Sequence, residues 1–288
     1  MIAYLTEPFQ YSYMINAIWI SALVGAVCAF LSAFLMLRGW SLIGDALSHA
    51  VVPGVAGAYI LGLPFAIGAF ISGGLAAGAM LFLNSRTKLR QDAIIGLVFT
   101  SFFGLGLFMA SLSPSAVNIQ TIALGNILAI SPTDTIQMVL IAGTSLIVLT
   151  LIWRDLMVVF FDESHARTIG LKPDRLKFIF FVVLAGSTVA ALQTVGAFLV
   201  VAIVIIPGAT AYLLADRFSH LLIWSTIIGT LTCGFGAYLS YFTNGATGGV
   251  IVLLQGGVFA LSFFFAPKHG QVAARRRVAK MHAETSNG

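Results

Sequence analysis

The chain has 288 residues, of which 59% are hydrophobic and only 9% charged, and its formal net charge is +5. Soluble domains carry about 25% charged residues, so this composition leaves too little polar surface for a water-facing globule. Apolar runs of about 20 residues, the length that crosses the hydrocarbon of a bilayer, recur along the chain. We therefore expect an all-α integral membrane protein, a polytopic helical bundle.

Nine membrane-spanning helices are predicted, with eight as the alternative. Polar residues at 191–198 either cap a turn or lie within one broken helix. The segment 113–134 is too polar for a span and is predicted to be a re-entrant or interfacial helix on the outer face. The predicted spans are residues 17–37, 47–62, 65–84, 93–112, 135–153, 178–193, 195–214, 220–242 and 248–266.

The positive charges predict the orientation of the bundle. With nine spans, all 15 Lys and Arg residues fall in segments on the same face of the membrane. Such segments are cytoplasmic, so the N-terminus is expected outside and the C-terminus inside. Residues 1–266 form the transmembrane domain. Residues 267–288 form a basic cytoplasmic tail that touches anionic lipid headgroups and has no expected nucleic-acid role.

An acid and an imidazole stand out in the apolar stretch "RGWSLIGDALSHAVVPGVAGAYILG". Asp45 and His49 are four residues apart, so both lie on one face of a helix. Oxygen and imidazole ligands suit Mn²⁺, Fe²⁺ or Zn²⁺, and ionisable groups inside a membrane span usually mark a transport path. The alternative is structural: Asp45 caps the helix and His49 bonds a neighbour in the core.

Two prolines lie within predicted spans. Pro53 has no N–H to bond the carbonyl of His49, which leaves that oxygen free for water or an ion. Pro207 frees the carbonyl of Ile203 in the same way. Its helix is expected either to bend there during gating or to have a static kink. Gln193 and Thr210 are candidate path-lining residues, although such groups also bond between helices.

The segment 154–177 is the longest and most charged of the predicted cytoplasmic links. Asp162 is expected to cap a short helix with Glu163 in its first turn, where the helix dipole favours an anion. Gly170 is expected to end it, and Ala166 and Ile169 are its apolar positions. This helix either docks a cytoplasmic partner or lies on the membrane surface.

Four stretches together resemble the membrane permeases of manganese, zinc and iron ABC importers, and most closely the Sit/Yfe-type chelated iron and manganese permeases. The resemblance runs from about residue 10 to about residue 270. These stretches are "MLRGWSLIGDALSHAVVPGVAGAYILG", "FFDESHARTIGLKPDRL", "ALQTVGAFLVVAIVIIPGATAYLLADR" and "FFFAPKHG".

The resemblance implies a multi-pass transport subunit of the bacterial inner membrane. It implies two cytoplasmic ATPase subunits, a second permease subunit that is a copy or a paralogue, and an extracytoplasmic metal-binding protein that delivers the ion. The segment around Asp162 to Gly170 would be the coupling helix that fits the ATPase. Asp45 and His49 would contact the metal, and Ser48 would line the path.

The chain itself is expected to be no enzyme and to bind no cofactor beyond the transported metal. It has no Walker phosphate cradle, so ATP would be hydrolysed by the partner. Two alternatives remain: an ABC permease for a larger cargo such as a siderophore, and a secondary metal transporter that needs no ATP. An intramembrane enzyme is a further class, but no nucleophile accompanies the Asp–His pair.

Overall fold

A computed structural model describes residues 6–40, 42–63, 65–112 and 132–266, and every regular element in these ranges is helical. The chain starts with a 3₁₀ turn at Glu7–Gln10. The helices that follow are α1 (Ser12–Arg38), α2 (Leu42–Ala50), α3 (Val52–Leu61), α4 (Phe65–Arg86), α5 (Gln91–Leu112), α6 (Pro132–Phe161), α7 (Glu163–Thr168), α8 (Pro173–Val195), α9 (Ala197–Leu214), α10 (Phe218–Thr243) and α11 (Thr247–Phe265).

Seven of these helices are long and apolar enough to cross a membrane, namely α1, α4, α5, α6, α8, α10 and α11. The apolar stretch of α9, Leu199–Leu214, is shorter. The predicted all-α membrane bundle is thus confirmed. The number of membrane crossings, nine or eight, stays a prediction.

Several helix boundaries differ from the predicted spans. The second span, predicted as one helix over 47–62, is two short helices that meet at Val51, because Pro53 at the start of α3 has no N–H to continue the ladder. Helix α6 continues to Phe161, eight residues past the predicted end at 153. Gly196, with φ +82°, separates α8 from α9, so the junction at 191–198 is a break between helices. The predicted outer segment 113–134 lies almost wholly outside the described residues.

Helices approach most closely where a glycine faces a neighbouring backbone. Helix α1 packs along α10, and a Cβ on Gly25 would lie 2.6 Å from the carbonyl oxygen of Gly229. A Cβ on Gly54 in α3 would lie 2.0 Å from the carbonyl oxygen of Gly68 in α4. Small residues of this kind let membrane helices pack closely.

Among the described residues, the turns after α1, before α5, after α6 and before α10 meet at one end of the bundle, which we call the basic end. Trp40, just after α1, donates a hydrogen bond to Gln91 at the start of α5. A buried group of aromatic rings joins the same end: the ring of Phe34 lies 5.9 Å from that of Phe160 and 5.0 Å from that of Phe218. The ends of the helices near residues 34–40, 91, 160 and 218 therefore lie together. The orientation of this end in the membrane stays a prediction.

Candidate functional site

Asp45 and His49 lie one turn apart on α2, with Oδ1 of Asp45 3.4 Å from Nε2 of His49. Both side chains are partly exposed, 41% for Asp45 and 28% for His49. The helix begins at Leu42, so Asp45 lies inside it and is not its N-cap. A carboxylate oxygen and a ring nitrogen thus point to one place on a partly open face of the chain.

Two phenylalanines on α5 flank the imidazole, and the sequence analysis did not identify them. The ring centroids of Phe99 and Phe103 each lie 5.5 Å from that of His49, in edge-to-face geometry, and the two phenyl rings stack on each other at 5.7 Å. Their four-residue spacing was the available signal, but it indicates only that they share a face of α5. Together they limit the orientations open to the imidazole.

Helix α2 is held by close packing and by hydrogen bonds on its other side. A Cβ on Gly44 would lie 2.7 Å from Cγ1 of Val204 in α9, so α2 and α9 touch there. Ser48 is buried and donates to the carbonyl oxygen of Gly44 at 2.8 Å. Ser72 of α4 donates to the carbonyl oxygen of Ala50 at 2.6 Å, next to the break before Pro53.

The Asp–His pair supplies two ligand groups. Within the described ranges, no group of three or more His, Cys, Asp or Glu side chains is placed to hold a metal ion. A carboxylate and an imidazole together suit Mn²⁺, Fe²⁺ and Zn²⁺. Two ligands can hold such an ion briefly and release it, which suits a transport path better than a storage site.

Pro207 lies inside α9, and a serine from another helix bonds the backbone around it. Ser32 of α1 accepts a hydrogen bond from the N–H of Gly208 at 3.0 Å and donates to the carbonyl oxygen of Ile205 at 3.3 Å. Thr210 is buried and donates to the carbonyl oxygen of Ile206 at 2.8 Å within its own helix. The side chain of Gln193 lies outside the described part of the chain.

Helix α7 has the boundaries expected from its capping residues. Oδ1 of Asp162 accepts from the N–H groups of Ser164 and His165, at 2.8 and 3.0 Å, so the predicted N-cap is confirmed. Gly170, at φ +85°, follows the helix as predicted. Ala166 is fully buried against the bundle, whereas Ile169 is 55% exposed. A large apolar side chain is thus presented outward beside a capped turn.

One carboxylate of α7, that of Glu163, lies within 4 Å of three cationic side chains. Glu163 accepts hydrogen bonds from Lys177 and from Arg167, the latter at 2.9 Å, and Nη2 of Arg38 lies 3.9 Å away. Partial burial raises the pKa of Glu163, but the hydrogen bonds and charges of Lys177 and Arg167 outweigh it and leave the pKa below its usual value. The carboxylate is therefore ionised at neutral pH.

A cavity of about 720 Å³ opens beside α7 at the basic end. Its wall includes Asp162 and His165 from the predicted coupling segment, and Tyr212 and Arg217 from the ends of α9 and α10. The cavity gives a partner a recess next to the exposed turn.

Comparison with known proteins connects this arrangement to a family. The profile of the ABC 3 transport family matches residues 10–266. The chain is 61% identical over 277 residues to the chelated iron transport system membrane protein YfeC of Yersinia pestis, covering 96% of this chain and 94% of that protein. It is 47% identical to the manganese transport system membrane protein MntB of a Synechocystis strain, covering 95% and 90%. The structure of PsaBC from Streptococcus pneumoniae in complex with Fab is similar with a TM-score of 0.82 at 36% identity, covering 93% and 98%.

Proposed function

Because this chain belongs to the ABC 3 transport family, we propose that it is the membrane permease of an ATP-driven importer that moves manganese or iron into the cytoplasm. Zinc is a third candidate cargo, because a carboxylate oxygen and an imidazole nitrogen also suit Zn²⁺. The chain is a multi-pass protein of the bacterial inner membrane and a transport subunit, not an enzyme. The iron and manganese transport proteins among its relatives favour this cargo over a siderophore.

The observation that carries the proposal is the Asp45–His49 pair. Its two ligand atoms lie 3.4 Å apart on a helix of an apolar bundle, and both side chains are partly exposed. Ionisable groups at such a position are costly in lipid and are retained where they face a partner helix or a wet path. A divalent cation entering that path would find a carboxylate and a ring nitrogen side by side.

The proposed assembly has three kinds of partner. ATPase subunits dock on α7 at the cytoplasmic side, which we take to be the basic end. A second permease subunit, a copy or a paralogue, covers the face with Asp45 and His49 and completes the coordination of the ion. An extracytoplasmic protein delivers the metal to the opposite side.

In this mechanism, ATP binding to the partner moves α7, and the movement opens the path to one side of the membrane at a time. Asp45 and His49 hold the ion in passage, His49 as the neutral imidazole, since a protonated ring has no lone pair for the metal. The candidate gating or path-lining residues are Ser48, Pro53, Gln193, Pro207 and Thr210. For Ser48 and Thr210, bonds within their own helices explain the hydroxyl groups equally well.

Uptake into proteoliposomes tests the proposal. The chain is reconstituted with its ATPase, and Mn²⁺ or Fe²⁺ is presented on its delivery protein. Asp45→Asn and His49→Ala are expected to abolish ATP-dependent uptake while the complex still assembles. Normal uptake by both variants would show that the pair is not the ligand set. Uptake by the wild type without ATP would instead favour a secondary transporter.

The docking role of α7 has its own test. Ile169→Asp places a charge on the outward apolar position and is expected to reduce co-purification of the ATPase in mild detergent. Thr168→Asp is the matched control, because that neighbouring side chain is also exposed but polar. Recovery of ATPase with Ile169→Asp at the wild-type level would contradict docking at this turn.

A further inference from the structure

One carboxylate of helix α7 forms ion pairs with other elements of the bundle. The helix has six residues, and among them only the small side chain of Ala166 is buried. Glu163 reaches three cations that belong to three different elements: Arg38 at the end of α1, Lys177 in α8, and Arg167 in α7 itself. Besides its covalent links to α6 and α8, α7 is therefore connected to α1 through this ionic cluster.

The cluster has an inner and an outer part. The Lys177 and Arg38 side chains are 11% and 27% exposed, whereas Arg167 is 55% exposed and also pairs with Asp174, which is 76% exposed. Water screens the outer pairs strongly and the inner pairs less. The ion pairs of Glu163 with Lys177 and Arg38 are thus less screened, so a displacement of Glu163 would alter them more than the outer pairs.

Among the described residues, Glu163 is the carboxylate that pairs with Arg38, at 3.9 Å. The Nε atom of Arg38 is buried and finds no hydrogen-bond partner within the described residues. Its guanidinium lies over the ring of Trp40, 5.7 Å from the centroid. Loss of the Glu163 charge would leave this partly buried cation, among the described residues, with the aromatic ring as its partner. We therefore expect the turn after α1 to shift.

Trp40 carries that shift to the helices of the metal site. It is buried, with its ring 5.4 Å from that of Phe160 and 5.5 Å from that of Phe181. Its indole donates to Gln91 at the start of α5, and its carbonyl oxygen accepts from the N–H of Ile43 at the start of α2. These are the two helices that bear the Asp–His pair and the phenylalanines around it.

We propose that Glu163 is the positioning residue that links the coupling helix α7, through Arg38 and Trp40, to the helices that carry Asp45 and His49. The proposal rests on the import function proposed above. It adds the residues through which ATP binding by the partner would shift the helix that carries Asp45 and His49. Nothing in the route touches the metal, so Glu163 acts only through other residues.

The test measures ATP hydrolysed per Mn²⁺ ion imported by the complete transporter in proteoliposomes. Glu163→Gln and Arg38→Gln are expected to raise this ratio at least about threefold, within the range by which residues along a coupling route alter it. The double variant is expected to be no worse than the worse single variant, because both changes break one link. Asp174→Asn is the matched control, an acid-to-amide change at the outer pair, and should leave the ratio unchanged.

A purely structural role would lower the amount of complex and reduce both rates together, which leaves the ratio at its wild-type value. That result, or additive effects in the double variant, would overturn the proposal. If Glu163→Gln fails to assemble, Arg38→Gln decides alone, since Glu163 then keeps Lys177 and Arg167. A wild-type transporter that imports no metal with ATP would contradict the proposed function instead.

Discussion

Ser32 of α1 accepts a hydrogen bond from the N–H of Gly208 in α9, 176 residues later in the chain. Gly208 follows Pro207, and the same serine hydroxyl also donates to the carbonyl oxygen of Ile205. A Cβ on Gly208 would lie 2.5 Å from this hydroxyl, so only glycine admits the contact. One serine therefore bonds the backbone of another helix on both sides of a proline.

Ser32→Ala should destabilise the chain, because the buried N–H of Gly208 and the carbonyl oxygen of Ile205 each lose this hydroxyl partner. The cost of such an unpaired group is about 1–3 kcal/mol. The measurement is the apparent melting temperature of the purified protein in detergent. Ser101→Ala is the control: its exposed hydroxyl bonds only the preceding turn of its own helix, and its removal should leave stability nearly unchanged. Equal melting of both variants would contradict the prediction.

Gly54→Ala should force α3 and α4 apart. The new methyl group would lie 2.0 Å from the carbonyl oxygen of Gly68, a backbone atom that cannot move without its helix. Overpacking of this kind costs about 1–3 kcal/mol. Gly74→Ala is the control on the open side of α4. Its new methyl group would have no described atom within 4 Å, so the change should be neutral or slightly stabilising. A melting temperature for Gly54→Ala at or above that of Gly74→Ala would contradict the close contact between α3 and α4.

Replacing both phenylalanines that flank His49 by leucine should slow metal uptake while leaving the chain folded. Each aromatic contact is worth about 0.5–1.5 kcal/mol, so the loss corresponds to roughly a twofold to tenfold change per ring. Initial rates of Mn²⁺ uptake, normalised to the amount of chain in the membrane, provide the measurement. Phe108→Leu is the control on the same helix, because that ring is 60% exposed. The prediction fails if the double variant and the control transport at the same rate.

The lowered pKa of Glu163 should make the stability of the folded chain depend on pH. Its pKa in the folded chain is lower than its ordinary value of 4.5, so its ion pairs contribute stability above that value and lose it as the pH falls through the lower folded pKa. The gap in melting temperature between wild type and Glu163→Gln should be constant from about pH 8 to about pH 5 and should close at lower pH. A gap that already closes near neutral pH would contradict this sign.

Local features were sufficient to predict much of the candidate site. The four-residue spacing of Asp45 and His49 places them on one face wherever α2 lies in the bundle. Asp162 caps α7 because its side chain bonds N–H groups two and three residues ahead. Pro53 breaks the second predicted span, although the sequence analysis kept that span as one helix. Each of these features depends on neighbours within about one helical turn.

The sequence by itself determined that this chain is a membrane-embedded helical bundle with an acid–imidazole pair on one helix and a capped turn among its cations, because composition, spacing and capping act locally. Only the tertiary structure decided that Phe99 and Phe103 flank His49, that Ser32 bonds α9 at Pro207, and that Glu163 reaches Arg38. These partners are far apart in the chain. Ser32 reaches α9 because Gly208 lets the two helices touch, as Gly25 and Gly54 do for two other pairs. An apolar sequence does not reveal which helices will pack together in this way.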